Sequence, residues 1–226
     1  MRLETAQLRL HTGICDGMPD PEPALLDRIE RLPGLQRVAL GRNLTGSWGA
    51  GDYTLDLQFK TDSSGAQADA GGLAAALDGI ATADHAAYRA IAGGMRAPQL
   101  HDGVWRTLMF RVRPEAQPWQ VHALEQDLLR MPAYMPSIRN WRLARVLSPL
   151  SPNTWTHVWQ QEFAGADDLL GEYLMHPFHW GRVDRWFDPE FPEWTVEAIS
   201  HAFCPLATSL IASQIASHSH REETAS

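Results

Sequence analysis

Several features that would define a protein class are scarce in this sequence. Its 226 residues contain two cysteines, Cys15 and Cys204, so no disulfide framework is expected and a reducing compartment is favoured. No apolar run approaches the roughly 20 residues of a membrane-spanning helix. The first residues also lack the apolar segment of a signal peptide. These absences predict a cytoplasmic protein with no membrane partner.

Charge and phosphate-binding motifs exclude other classes. The formal net charge is −8 and no basic stripe is present, so a nucleic-acid partner is not expected. The glycine pairs at 71–72 and 93–94 lack the strand–turn–helix context of a nucleotide loop. No Ser or Cys lies in a nucleophile elbow. Tryptophan is abundant, with nine residues, and it suits cores, aromatic pockets and interfaces alike.

The order of predicted elements repeats after about 104 residues. In the first half, alternation predicts a strand at 53–59, and an Ala-rich run predicts a helix at 73–91. Each half is typical of a β-α-β-β-α-β ferredoxin-like unit. The predicted fold class is therefore α+β, with two tandem ferredoxin-like repeats that form an intramolecular dimeric α+β barrel. The expected boundaries are residues 1–101 and 102–206 for the repeats and 207–226 for a flexible tail.

A phenol and two imidazoles lie close together near the end of the second repeat. Tyr173, His176 and His179 surround Pro177, which is expected to end or kink a helix that begins near Asp168. This break places Tyr173 and His179 at the mouth of one pocket. A neutral imidazole can accept a proton near pH 7, and a phenol can donate one to a developing oxyanion. Ordinary packing at a helix end is the alternative interpretation.

Further side chains are predicted to complete this pocket. Its apolar lining is expected from Leu108, Phe110, Trp155, Trp159, Phe178 and Trp180. So many aromatic side chains favour a flat, aromatic or polyketide-like ligand, although ordinary core packing is the alternative for each of them. Arg106 either anchors an anionic group of the substrate or pairs with a carboxylate inside the repeat.

Two of these motifs carry a resemblance to a known family. Trp155-Thr156-His157 and the segment from Tyr173 to His179 resemble the stress-responsive dimeric α/β-barrel (Dabb) family, with similarity over residues 105–203. Residues 2–101 resemble a degenerate second copy. The resemblance to the plant polyketide cyclases of that family implies Tyr173 as acid, His179 as base and His157 as a pocket histidine, without metal or organic cofactor.

The same resemblance distinguishes the two repeats. Arg106 stands where those cyclases have a histidine. In the first repeat, Thr82–His85 is aligned with His176–His179, so His85 is retained while Gly79 and Leu55 replace the Tyr and the strand His. The resemblance therefore implies one competent site for each chain, in the second repeat.

The sequence supports three candidate functions. The first is a cofactor-independent lyase or cyclase of aldol or retro-aldol type, acting on a small aromatic or polyketide-like compound, in which His157 and Arg106 polarise or position the substrate. The second is a non-catalytic stress-response or small-molecule-binding barrel. The third is a metal-dependent enzyme with His157, His176 and His179 as ligands. Association of two such chains into a homodimer is also open.

Overall fold

A computed structural model describes residues 2–11, 20–60, 70–150 and 153–213. Within these residues eight strands form one sheet: β1 Arg2–Leu10, β2 Leu35–Arg42, β3 Tyr53–Phe59, β4 Ala81–Met95, β5 His101–Val112, β6 Asn140–Pro149, β7 His157–Phe163 and β8 Val196–Thr208. The α-helices are α1 Glu22–Ile29, α2 Ala70–Ala76 and α3 Pro118–Tyr134. A further helical segment, residues 168–186, contains two π-helices, Asp168–Tyr173 and His179–Val183, and the 3₁₀ turn Asp184–Trp186.

The strand order confirms the predicted pair of ferredoxin-like repeats. The order is β2-β3-β1-β4 in the first repeat and β6-β7-β5-β8 in the second, with neighbouring strands antiparallel. The repeats join directly because β4 pairs with β6. On the opposite side, the segment after β2 reaches β8, where the backbones of Trp48 and His201 exchange hydrogen bonds of 2.8 and 2.9 Å. The two half-sheets thus form a barrel with the helices outside.

Alternation along the strands separates a helix-facing layer from the barrel interior. On β7, Trp159 and Phe163 pack with the helices of the second repeat, whereas Val158 packs inside the barrel. On α3, Leu124, Leu128 and Met131 are buried in that helix-facing core. In the first repeat, the corresponding layer is filled from β1, β3, α1 and α2.

A buried polar network inside the barrel links the two repeats. The Tyr88 hydroxyl donates to Asp56 at 2.9 Å and accepts from Arg142 at 2.7 Å. Gln160 donates to Asp56 at 2.9 Å and accepts from Arg142. Because β3, β4, β6 and β7 each contribute one side chain, the network favours this pairing of the repeats over a shifted one.

The helix predicted at 73–91 is wrong beyond its first residues. The α2 helix ends at Ala76, and Ala81–Met95 forms β4 instead. This strand pairs with β1 on one side and β6 on the other, so its hydrogen bonds and burial outweigh the helix propensity of alanine. Gly79, with φ of +74°, lies in the turn between α2 and β4 and does not occupy the helical position of Tyr173. The alignment of Thr82–His85 with His176–His179 is therefore wrong.

The expected tail also begins too early. Thr208 ends β8, and the next residues are anchored because the buried Glu162 carboxylate accepts from the backbone N–H groups of Leu210 at 2.7 Å and Ile211 at 3.0 Å. Residues 214–226 lie outside the described residues, as does Cys15. In the part of the chain that the structure describes, no helix combines the length and apolarity needed to cross a bilayer.

Candidate active site

A cavity of about 330 Å³ lies in the second repeat, between the sheet and the outer helices. Its walls come from β5, β7 and β8, from α3 and from the helical segment 168–186. Five residues predicted for the site line it: Arg106, Leu108, Trp159, Tyr173 and His179. The other lining residues are Gly46, Leu128, Leu169, Leu170, Leu174, Val183, Asp184, Phe187, Ile199, His201 and Phe203. The volume is at the lower end of the range for small-molecule sites.

Tyr173 and His179 contact one another on the cavity wall. Their ring centroids are 4.8 Å apart at an interplanar angle of 67°. Each residue belongs to a π-helix, a wide-turn geometry that is frequent at functional sites. The Nδ1 atom of His179 lies 3.4 Å from Oδ1 of Asp184, whose side chain is 49% exposed. The predicted pairing of these two side chains in space is thus present.

Burial determines the protonation state of Tyr173. The side chain is 2% exposed, and desolvation raises the pKa of its phenol above the ordinary value, an effect that the positive charge of Arg106 partly offsets. Donor groups of Gln161 and Trp159 act in the same direction as Arg106. The phenol is therefore protonated at neutral pH and can act as a hydrogen-bond donor.

Arg106 is a buried cation that forms no ion pair with a carboxylate of the described residues. It is 7% exposed, and its Nη1 donates to Oε1 of Gln161 at 2.8 Å. Its guanidinium carbon lies 5.3 Å from the centre of the Tyr173 ring. Among the described residues no carboxylate oxygen lies within 4.0 Å of it. The described residues therefore do not support the alternative in which Arg106 pairs with a carboxylate of its own repeat.

His201 is a cavity residue that the sequence analysis missed. It lies on β8 directly opposite Leu108 of β5, and burial and the charge of Arg106 lower its pKa to about 4. The imidazole is therefore neutral at pH 7. The sequence has no periodic pattern that assigns the face of His201, and the wrong alignment of His85 obscured its correspondence with His201.

The pairing of the strands shows which histidines of the two repeats occupy equivalent positions. Val104 lies opposite the last residue of β7, as Arg2 lies opposite the last residue of β3. The residues four positions further on, Leu108 and Ala6, face His201 and His85 respectively. His201 is therefore the counterpart of His85. By the same count, Tyr53 rather than Leu55 is the counterpart of His157.

The structure does not bring His157 or Phe110 into the cavity lining. His157 Nε2 lies 3.1 Å from Oε1 of Glu125, and its Nδ1 lies 2.9 Å from the Thr156 hydroxyl. Burial opposes ionisation of Glu125, but hydrogen bonds from His157 and Arg145 prevail and lower its pKa to about 2. Phe110 stacks on the His157 ring at 4.7 Å. His157 is thus occupied in a structural network.

Three further aromatic residues predicted for the pocket lie elsewhere. Trp155 precedes β7, where the alternation of faces is broken, and it packs inside the barrel with its indole N–H on Asp84 at 2.8 Å. Phe178 stacks on Tyr134 at 4.4 Å. Trp180 is 61% exposed. The pocket is consequently less aromatic than predicted, because seven aliphatic side chains line it beside Trp159, Tyr173, Phe187 and Phe203.

The histidines do not form the ligand set that a metal centre would need. Within the described ranges, no group of three or more His, Cys, Asp or Glu side chains has a suitable arrangement. His176 accepts a hydrogen bond from the backbone N–H of Phe178 at 3.1 Å, and His157 is held by Glu125. The three-histidine alternative therefore has no geometric support.

Comparison with known proteins identifies the half of the chain that holds the cavity. Residues 104–197 match the family described as Stress responsive A/B Barrel Domain, or Dabb. Residues 104–197 are a Dabb domain, and we use this name for the second repeat, which contains them. No curated protein matches the chain significantly.

Solved structures resemble the chain over nearly its whole length. One is an anthrone oxidase-like protein, with a TM-score of 0.60, 13% identity and 91% of each chain covered. Another, from Fusobacterium nucleatum, is provisionally described as a monooxygenase, with a TM-score of 0.54, 8% identity and 92% of each chain covered. A third, provisionally described as a chlorite dismutase, has a TM-score of 0.51 and 11% identity, and covers 95% of this chain and 99% of its own. At these identities the likeness shows the fold alone.

In the first repeat, the position equivalent to Arg106 holds a side chain of the opposite charge. Glu4 is the counterpart of Arg106, since each lies two residues after the matched positions Arg2 and Val104. Glu4 is buried, with one oxygen 2.7 Å from Nε2 of His85 and the other 2.7 Å from Nε of Arg2. The first repeat thus closes its histidine in an ion-pair network, whereas the Dabb domain faces its histidine with a cation.

Proposed function

We propose that the Dabb domain is the catalytic half of an acid–base enzyme, a lyase or cyclase of aldol or retro-aldol type that acts on a small aromatic or polyketide-like compound. The observation that supports this most is the contact of Tyr173 with His179 on the wall of a cavity that also holds Arg106. A base, an acid and a fixed positive charge are the groups needed to form and protonate an enolate.

His179 is assigned the role of base. Its side chain is 16% exposed, and the Asp184 carboxylate orients it through Nδ1, which leaves Nε2 available toward a substrate. In the proposed step the imidazole removes a proton from the carbon next to a carbonyl group. The electron pair moves onto the carbonyl oxygen and forms an enolate, whose carbon attacks a second carbonyl group. In the retro-aldol direction the imidazole instead removes the proton of a β-hydroxyl group, the carbon–carbon bond breaks to leave a carbonyl group, and the electron pair of that bond forms the enolate.

Tyr173 and Arg106 are assigned to the oxygen that becomes negative. The raised pKa keeps the Tyr173 phenol protonated, so it donates a hydrogen bond to the enolate oxygen and can transfer its proton there. The guanidinium of Arg106, 5.3 Å from the Tyr173 ring centre, stabilises the same charge. The proton taken by His179 is returned to carbon or oxygen at the end of the cycle.

One site for each chain follows from the comparison of the repeats. In the first repeat, Glu4 would repel an enolate and is already paired with His85 and Arg2. The first repeat is therefore proposed to be a scaffold. Activity that persists at full level after His179→Ala would contradict this assignment.

Proton exchange tests the proposal before the true substrate is known. Wild-type protein is incubated in D₂O with acetophenone or 3-benzoylpropanoate, and NMR follows deuterium entering the carbon next to the carbonyl group. Tyr173→Phe and His179→Ala are each expected to reduce the rate by at least about 100-fold. Matched controls are Tyr134→Phe and His122→Ala, which change exposed residues outside the cavity.

The two readouts distinguish an enzyme from a binding protein. Thermal stabilisation by the same compounds measures binding separately from exchange. Loss of exchange with retained stabilisation in Tyr173→Phe supports the catalytic assignment. Stabilisation without exchange by the wild-type protein, across aryl ketones, phenols and polyketide mimics, would favour a non-catalytic small-molecule-binding barrel instead.

A further inference from the structure

Two polar side chains from neighbouring strands meet on the sheet wall of the cavity. Arg106 is on β5, and His201 on β8 faces Leu108, two residues further along β5 on the same face. Both side chains line the cavity, and the charge of Arg106 acts on the imidazole. The acid–base roles assigned above make no use of His201.

Neither side chain is satisfied by the protein. Only Nη1 of Arg106 has a hydrogen-bond partner, Gln161, and its Nε and Nη2 atoms make no hydrogen bond to any described residue. For His201, the described part of the chain offers neither ring nitrogen a hydrogen bond, although Nδ1 is buried. The Nε and Nη2 atoms of Arg106 are not among the buried unpaired atoms, so they are accessible from the cavity. A ligand in the cavity can therefore accept hydrogen bonds from Arg106 while it contacts the accessible side of the His201 ring.

The charge pattern of the cavity indicates the sign of that ligand. Asp184 is the one carboxylate among the lining residues, and its side chain is 49% exposed and directed to His179. Arg106, at 7% exposure, therefore lies deeper and has no counter-ion there. A single cation beside a neutral imidazole matches a monoanion. The planar edge of a guanidinium fits a carboxylate with two parallel hydrogen bonds, whereas a phosphate dianion would need more donors.

Resting on the acid–base function proposed above, we propose that Arg106 and His201 form a carboxylate-binding subsite. The substrate or the product of the enzyme is then a small aromatic carboxylic acid, with its carboxylate on Arg106 and His201 and its ring among the apolar lining residues. The reacting carbon lies toward Tyr173 and His179. His201 acts as a specificity residue, and Arg106 serves both the carboxylate and the adjacent oxyanion.

The first repeat holds this subsite in place. Trp48 exchanges backbone hydrogen bonds with His201, and the Ser47 hydroxyl accepts from the backbone N–H of Phe203 at 3.2 Å. Gly46, with φ of +97°, brings this segment against the cavity, where an added Cβ would lie 3.0 Å from the Phe203 ring. Fusion of two repeats thus supplies the Dabb domain with a fixed wall beside His201.

An acid and its matched amide test the subsite directly. Calorimetric titration of the full chain at pH 7 uses 2-naphthoate and 2-naphthamide, which differ in charge but hardly in shape. The wild-type protein is expected to bind the acid at least about 10-fold more tightly. Arg106→Gln should abolish this preference, and Arg106→Lys should retain part of it because the charge remains. His201→Phe should weaken the acid severalfold without affecting the amide, and His201→Gln should partly restore it.

Controls separate this inference from the catalytic proposal. His122→Ala changes an exposed histidine on α3 and should leave both affinities unchanged. Tyr173→Phe should keep the preference for the acid while it loses deuterium exchange. If wild-type protein shows no preference, including no binding of either compound, or if Arg106→Gln retains the preference, the carboxylate subsite is overturned. If the preference follows Arg106 and His201 but exchange does not depend on Tyr173 and His179, the subsite holds and the acid–base function fails.

Discussion

The two repeats place a histidine at the same point of the same sheet and treat it in opposite ways. In the first repeat, His85 faces the buried Glu4 carboxylate, which Arg2 also contacts. In the Dabb domain, the equivalent His201 faces Arg106, and among the described residues no carboxylate pairs with either side chain. The two repeats therefore share the strand register but carry opposite charges, Glu4 and Arg106, at the equivalent position beside the histidine.

The difference between the paired Glu4 and the unpaired Arg106 indicates how the proposed subsite would gain affinity for an anion. A buried charge is tolerated when a partner compensates for its desolvation. The first repeat supplies that partner from its own strand, so its network contributes to folding. In the proposed subsite of the Dabb domain, a ligand would supply the missing partner, and the free protein would be less stable than the complex. The predictions below convert one arrangement into the other or measure the cost of each.

Arg106→Glu is expected to have the largest effect, because it gives the Dabb domain the residue of the first repeat. The new carboxylate should pair with His201 as Glu4 pairs with His85, and it should repel an anionic ligand. We expect the affinity for 2-naphthoate to fall at least about 100-fold, measured by calorimetric titration. NMR titration of the His201 ring should show a pKa raised above about 4. A variant that still prefers 2-naphthoate to its amide would contradict the comparison.

Glu4→Leu breaks the closed network of the first repeat. It leaves Arg2 and His85 without their carboxylate in a buried position, so unfolding in denaturant should show a loss of about 3–5 kcal/mol. Adding His85→Leu should recover much of that loss, because the unpaired polar group is then removed. Binding of 2-naphthoate by the folded protein should not change in either variant. A parallel loss of binding would mean that the repeats are coupled at their sites.

The sequence was sufficient for the architecture and for one pair of site residues. Alternation, turn residues and the internal repeat predicted two ferredoxin-like units, and the break at Pro177 predicted that Tyr173 and His179 meet. The sequence could not reveal that Ala81–Met95 is a strand, because alanine favours helix and only pairing with β1 and β6 overrides it. That error displaced the alignment of the histidines.

The strand faces explain the remaining misses. Trp155 shares the parity of Trp159 in the sequence, yet the backbone leaves regular alternation before His157 and Trp155 turns into the barrel. His157 shares a strand with pocket residues but is held by Glu125 on α3, a long-range contact that no local pattern encodes. His201 required the register between β5 and β8. Contacts between strands that are far apart in the sequence are the hardest to predict from one sequence.

The pH dependence of stability isolates the unpaired histidine. The pKa of His201 is about 4 in the folded protein and near 6.5 when unfolded, so the unfolded chain binds more protons between these values. Stability linked to His201 is complete above about pH 6.5 and is lost as the pH falls toward 4. Relative to His201→Phe, the wild type should lose about 2 kcal/mol across this window, with allowance for partial exposure.

Another acid-labile group titrates in a different window and serves as a control. Glu125 has a pKa lowered from 4.5 to about 2, so the stability that it contributes is present above about pH 4.5 and is lost toward pH 2. The difference between wild type and His201→Phe in denaturant unfolding at pH 7, 5.5 and 4.5 therefore reports His201 without a contribution from Glu125. Equal pH dependence in the wild type and His201→Phe over this range would show that burial and the charge of Arg106 do not depress the His201 pKa.

Trp180→Ala is expected to have the smallest effect, although the sequence predicted this residue for the pocket. Its side chain is 61% exposed and its indole N–H reaches only the backbone oxygen of Met175 at 3.3 Å. We expect the free energy of unfolding to change by less than about 0.5 kcal/mol and the affinity for 2-naphthoate to stay constant. Trp159→Ala is the contrast, because Trp159 is fully buried and lines the cavity, and it should lose both stability and binding. If Trp180→Ala weakened binding as strongly, the ligand would extend out of the cavity along the 168–186 segment rather than remain on the sheet wall beside Arg106 and His201.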